Sequence, residues 1–269
     1  MRLSLFLAIF LSIFISTAIS QSSREISKTI PLKSDGLLII DTYKGGITVT
    51  TNDKPRVEVN VKIESDAVDS RDAERDVEDT EIEIHSTDRE VRLHTNYKKV
   101  ERNNYHNFWD WITDPHETSN SLPSVHYTIK MPCSAELRIK DYKSESHIEG
   151  LTSYLTLNTY KGTMEIFDLS GGIDLETYKG DVRISFTALK RDSHFETYKG
   201  KITVNIPKRT GFELRTDFER RVVFSTDFDV ETHKRDRKHH HYDYSGKING
   251  GGPTLVFNSD KGDIRLRAK

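Results

Sequence analysis

One cysteine, Cys133, stands among 269 residues, so no disulfide can close within the chain. Beside Met131 and Pro132 it reads as a small buried hydrophobe. Charge of one sign is also missing: 40 Lys and Arg face 42 Asp and Glu, intermixed, with no basic stripe for nucleic acid. There is no Gly-x-Ser-x-Gly elbow and no His-x-x-x-His with a glutamate, which removes common serine-hydrolase and zinc signatures. His239, His240 and His241 are adjacent in an extended segment, where alternate side chains diverge, so they read as a solvated loop and not as joint ligands. No residue set points to a catalytic centre, a metal or a cofactor.

Long apolar runs are absent after residue 20. Before it, Arg2 precedes the uncharged run Leu3 to Ile19, which exits through Ala18-Ile19-Ser20. That pattern reads as a signal peptide over residues 1–20, with an uncleaved anchor as the alternative. No cysteine near Ser20 offers a site for lipid attachment. The expectation is an exported chain, periplasmic, cell-surface or secreted, with no membrane span after cleavage.

What is abundant is repetition. Thr-Tyr-Lys-Gly occurs at Thr42–Gly45, Thr159–Gly162, Thr177–Gly180 and Thr197–Gly200, and Tyr160, Tyr178 and Tyr198 are spaced by 18 and then 20 residues. Weaker copies lie at Asp141–Ser144, Thr216–Glu219 and Ser259–Gly262, the last about two periods beyond its predecessor. Around each corner the apolar residues alternate: Leu155, Leu157 and Thr159 lead to Met164 and Ile166; Ile173, Leu175 and Thr177 lead to Val182, Ile184 and Phe186. Each unit is therefore two short strands joined at a corner where glycine permits positive φ. One unit cannot bury its apolar face alone, and a period near 20 residues implies stacking.

The expected fold is all-β, a β-solenoid or β-helix-like stack of two-strand repeats about 18–21 residues long. A sandwich of antiparallel hairpins is the alternative. Residues 21–133 form an N-terminal β region and residues 134–269 the repeat region, together one continuous domain. Glu81 to His85 and Glu90 to His94 read as a hairpin, and 66–79 as one short amphipathic helix carrying Ala67, Ala73 and Val77. Residues 97–123 form a long aromatic insertion, which with the Gly250-Gly251-Gly252-Pro253 bend is a candidate cover for the open ends of the stack.

Strand-turn units of this length, preceded by Val125-His126-Tyr127-Thr128-Ile129-Lys130-Met131-Pro132, resemble the bacterial putative adhesin family of exported β-strand repeat proteins, a domain of unknown function. The resemblance covers about Leu37 to Thr50 and Val125 to Lys269. The corner here reads Tyr-Lys-Gly where family copies usually read Ser-Gly-Asp, retained in part as Gly180-Asp181 and Gly262-Asp263. The resemblance implies a non-enzymatic role, binding or scaffolding at the cell envelope, and transfers no catalytic residue.

In-register stacking would line up Tyr142, Tyr160, Tyr178, Tyr198 and Phe218 as an aromatic ladder. Lys143, Lys161, Lys179 and Lys199 would run beside it, with Glu176 and Glu196 offsetting their charge. Such a stripe could pack on sugar rings or attract an anionic polymer; equally it could only cover the corner and keep the surface soluble. Trp109 and Trp111 are the second candidate surface, for an envelope glycan or surface protein, or for packing as a cap. Alternatives in other classes are a carbohydrate-active β-helix enzyme, although no carboxylate pair stands out, and a structural or sensory envelope spacer.

Overall fold

The computed structural model describes residues 22–97, 122–236 and 241–269. Trp109, Trp111, residues 1–20, His239 and His240 lie outside the described residues, as does most of the aromatic insertion.

The described chain is all-β with one helix. Strand pairs joined at a corner recur: β2 (Leu37–Asp41) with β3 (Lys44–Asn52), β8 (Glu136–Asp141) with β9 (Lys143–Glu149), β10 (Leu155–Thr159) with β11 (Thr163–Leu169), and β12 (Ile173–Thr177) with β13 (Asp181–Phe186). In β14 (Ser193–Ile206), β15 (Phe212–Thr226) and β18 (Thr254–Ala268) one long strand runs through the corner and serves both arms. Strands β6 (Glu90–Asn96) and β7 (Ser124–Pro132) supply the two arms of a further layer.

All these neighbours pair in parallel. The first arms run β6, β2, β8, β10, β12, β14, β18, β15, and the second arms β7, β3, β9, β11, β13, β14, β18, β15. Parallel register brings equivalent side chains into rows. Ile40, Ile139, Leu157, Leu175, Phe195 and Phe257 form one interior row, and Val49, Ile148, Ile166, Ile184, Val204 and Leu266 another. Each of these twelve side chains is at most 1% exposed, which places the core between the two arms.

Stack order departs from chain order at both ends. The β2–β3 layer sits between β6–β7 and β8–β9, and β18 is inserted between β14 and β15. The copy at Ser259–Gly262 thus lies directly beside the Tyr198 corner, and not two periods beyond the Thr216–Glu219 copy as spacing suggested. The Gly250–Pro253 bend covers no edge; it returns the chain so that β18 enters the stack, where Phe257 stacks on Phe195 at 4.5 Å.

At both ends antiparallel strands extend the sheet. At one end β5 (Glu81–Ser86) pairs with β6, and β1 (Ser22–Pro31) and β4 (Arg56–Ser65) extend the sheet beyond β7. At the other, β17 (His241–Ile248) pairs with the start of β15, and β16 (Glu231–Asp236) with β17. The expected helix is α1 (Ser70–Asp79), packed on β1 and β4 through Ala73 and Val77, with Ala67 outside it. The Asp69 side chain accepts from the amides of Arg71 and Asp72 at 2.8 and 3.2 Å, and the Arg24 guanidinium donates to the carbonyls of Glu78 and Thr80 at the other end.

Two local expectations are corrected. Cys133 is half-buried, with Sγ donating to Asp53 Oδ1 at 3.5 Å, because it falls in the turn after β7 and not inside the core. Positive φ is required at Gly45 (134°) and Gly262 (145°), but at Gly162 the constraint is space. A Cβ on Gly162 would lie 2.3 Å from the Ser144 carbonyl oxygen of the adjoining layer. Gly162→Ala should therefore lose about 1–3 kcal/mol as the layers are forced apart. A urea midpoint equal to that of the natural chain would show that the corner has slack.

Candidate functional site

The corner is the most regular feature of the molecule, and each of its residues has a distinct task. Threonine points inward. Thr42, Thr159, Thr177 and Thr197 are buried, in a row continued by Thr95, Asp141 and Ser259. The Thr177 hydroxyl accepts the Gly180 amide at 2.9 Å, closing the turn from inside, and the Thr42 and Thr95 hydroxyls meet at 2.9 Å. Thr95 in turn meets the buried Tyr127 hydroxyl at 2.6 Å. Burial pushes the phenols of Tyr97 and Tyr127 well above the ordinary tyrosine range.

One member of the row differs. Asp141 is 3% exposed, its Oδ2 accepts from the Thr159 hydroxyl at 3.2 Å, and its Oδ1 has no partner. Desolvation pushes its carboxyl up to about 7, with the Thr159 hydroxyl bond opposing.

Tyrosine forms the corner itself. Tyr43, Tyr142, Tyr160, Tyr178 and Tyr198 stack in sequence with centroids 4.7–4.8 Å apart and planes within 10°. That spacing is the distance between hydrogen-bonded strands, so the backbone sets the stack. The backbone ladder continues through the corner, where Lys161 and Lys179 donate from their amides to the carbonyls of Tyr142 and Tyr160, each at 2.9 Å. The four ring pairs contribute on the order of 0.5–1.5 kcal/mol each.

Tyr43 heads the stack, with the edge of Tyr97 set against it at 81°; its motif was visible in the sequence, but its place beside Tyr142 was not. Phe218 does not continue the ladder. Inserted β18 separates it from Tyr198, and Phe218 instead packs on Phe224 and Tyr244. Both faces of each inner ring are occupied by neighbouring rings, leaving only ring edges at the surface.

Lysine lies outside the stack. Lys161 Nζ is 5.2 Å from the Tyr142 centroid, Lys179 Nζ 5.2 Å from that of Tyr178, and Lys261 Nζ 5.0 Å from that of Tyr198. Lys261 also donates to the Tyr198 hydroxyl at 3.1 Å. Glu176 and Glu196 do not offset these lysines. Glu176 accepts from the Asn158 amide at 2.8 Å and Glu196 faces His194, because both lie on the outer face of the first arm.

Lys44, Lys143, Lys161 and Lys179 line one open groove of about 760 Å³, whose floor includes Gly45 and Gly162. Asp66, Glu145 and Asp181 line it as well, three carboxylates against four lysines. Lys44 is held below the ordinary lysine range by burial first, with Lys143 adding to the shift and Asp66 opposing it. Lys161 is lowered by burial and then by Lys143 and Lys179 on either side. The groove is thus crowded with like charge that the chain itself only partly balances. Among the described residues no group of histidine, cysteine or carboxylate side chains has the arrangement of a metal site.

The family model Toastrack DUF4097 matches residues 9–267. No curated protein matches the chain. Among solved structures, a putative cell adhesion protein from Clostridium sporogenes ATCC 15579 is similar at 12% identity over 92% of this chain and 100% of that one, with a TM-score of 0.45. A putative adhesin from Bacteroides fragilis NCTC 9343 is similar at 14% identity over 91% and 97% of the two chains, with a TM-score of 0.36.

Proposed function

The chain belongs to the Toastrack DUF4097 family over residues 9–267, and from that premise we propose that it is an exported, non-enzymatic binding or scaffolding protein of the cell envelope. Its layers are copies of one two-strand unit, stacked as a β-solenoid. The observation that carries this reading is the corner: the same four residue types recur at one-strand spacing and present an extended row of charge beside an open groove. A surface repeated along an axis suits a long or repetitive partner, where a reaction on a small substrate would need convergent groups in one pocket. The leader over residues 1–20 supports export.

Fractionation of cells producing the full chain tests this directly. The mature protein should leave the cytoplasm with its N-terminus at Gln21, read by mass spectrometry, and should co-sediment with isolated envelope. Retention of residues 1–20 on a cytoplasmic protein, with no envelope association, would sink the proposal.

A further inference from the structure

The lysine row continues past the groove. Lys44 is in register with Lys143, and Lys161, Lys179 and Lys199 follow in successive layers. Lys199 pairs with Lys261, and Lys261 with Arg221. Seven basic residues therefore lie in adjacent layers, a row about 29 Å long at the usual interstrand distance. Nothing in the fold requires this. Like charges placed side by side in a ladder are unfavourable, and at Lys161 the neighbouring Lys143 and Lys179 add to the lowering that burial causes. Glycines beside the row hold the floor of the groove at backbone level, so a chain-like ligand can approach the ammonium groups closely.

Resting on the reading of an envelope-binding protein, we propose that this row binds a linear phosphate-bearing polymer lying along the stack axis. The chemistry of the row selects the ligand class. Six of the seven positions are lysine, a compact point charge that meets the tetrahedral phosphate oxygens from any direction and favours the group of higher charge density; the guanidinium fork, suited to carboxylate and phosphate alike, occurs only at Arg221. Stacking on sugar rings is not available at the inner tyrosines, which have both faces covered at 4.7–4.8 Å, and at the end of the row Lys261 Nζ lies 5.0 Å from the Tyr198 centroid. Recognition is therefore electrostatic, and a polymer gains over a single phosphate because successive layers engage one chain.

The test uses the mature chain and fluorescently labelled long-chain inorganic polyphosphate, followed by anisotropy at several salt concentrations. With four lysines engaged, log affinity should fall against log salt with a slope of about −3, so that a fourfold rise in salt weakens binding about 50-fold. Lys143→Gln with Lys161→Gln and Lys179→Gln should make the slope shallower by about 2. Because removing neighbouring like charges leaves the tyrosine stack intact, the variant should melt no lower than the natural chain. Orthophosphate at equal total phosphate should not compete, and polygalacturonate should bind at least tenfold more weakly.

A slope unchanged by the triple substitution, equal competition by orthophosphate, or equal affinity for polygalacturonate would each overturn the inference. Binding of the triple variant to isolated envelope separates the two levels. If polyphosphate is not bound but natural chain and variant both hold envelope, the phosphate inference fails and the envelope reading stands.

Discussion

A chain ending at Gly252 should not reach the native state. The residues removed contain β18, which supplies a complete layer between β14 and β15 and pairs with both along each arm. Its Leu255, Phe257, Ile264 and Leu266 are fully buried. At roughly 1.5–3 kcal/mol for each large side chain, their burial alone contributes about 6–12 kcal/mol, comparable to the whole stability of a domain. Loss of the layer also leaves two facing strand edges without partners. The expected result is a shallow, non-cooperative urea transition by circular dichroism, with restoration when a separate peptide of residues 253–269 is added. A cooperative transition with a near-native midpoint in the truncated chain would show that β14 and β15 can pair directly. The milder Phe257→Ala should keep the fold and lose about 3–5 kcal/mol.

Replacing Asp141 by threonine should stabilise the protein at neutral and alkaline pH. Threonine fills the equivalent place in the neighbouring layers, at Thr42 and Thr159. The folded Asp141 carboxyl stands at about 7 where an ordinary aspartate is 3.8, so the folded state holds its proton more tightly than the unfolded one. The stability this confers is fully present below the unfolded value and is lost as pH rises to about 7. Across that window the cost of ionising the buried group reaches about 4 kcal/mol. Asp141→Thr should therefore match the natural chain near pH 4, exceed it by up to about 4 kcal/mol at pH 8, and lack its downward slope between. Asp141→Asn, which keeps the shape, should flatten the slope as well. A pH profile in both variants that keeps the slope of the natural chain would mean that Asp141 is already solvated in the folded state.

Much of this was legible in the residues. Alternation in Ile173, Leu175 and Thr177, then Val182, Ile184 and Phe186, gives the two arms of a layer, and all six side chains are buried. The hairpin of β5 and β6 and helix α1 were equally local, written in short-range alternation and in the spacing of Ala73 and Val77. The tyrosine ladder followed from the 18-residue period wherever consecutive copies are also neighbours, as Tyr142, Tyr160 and Tyr178 are. It failed where they are not. Tyr43 is separated from Tyr142 by the whole N-terminal region yet stacks on it, and Phe218 is one period from Tyr198 yet stands two layers away. The lysine groove was missed in its depth for the same reason, since Lys44 enters it with β3.

The division between the two kinds of information has a physical cause. Strand, corner and inward face depend on side-chain alternation, on glycine where backbones approach, and on threonine that closes the turn, all within about one repeat; the sequence alone determined them. Which layer lies on which is different. Parallel ladder hydrogen bonds are alike in every layer, and rows of Leu, Ile and Val accept any similar neighbour, so local chemistry does not distinguish one stacking order from another. Tertiary structure decided it, by inserting β2–β3 and β18 inside the stack and extending the ends with antiparallel strands. That choice put the tyrosine faces out of reach and joined seven basic residues into one row.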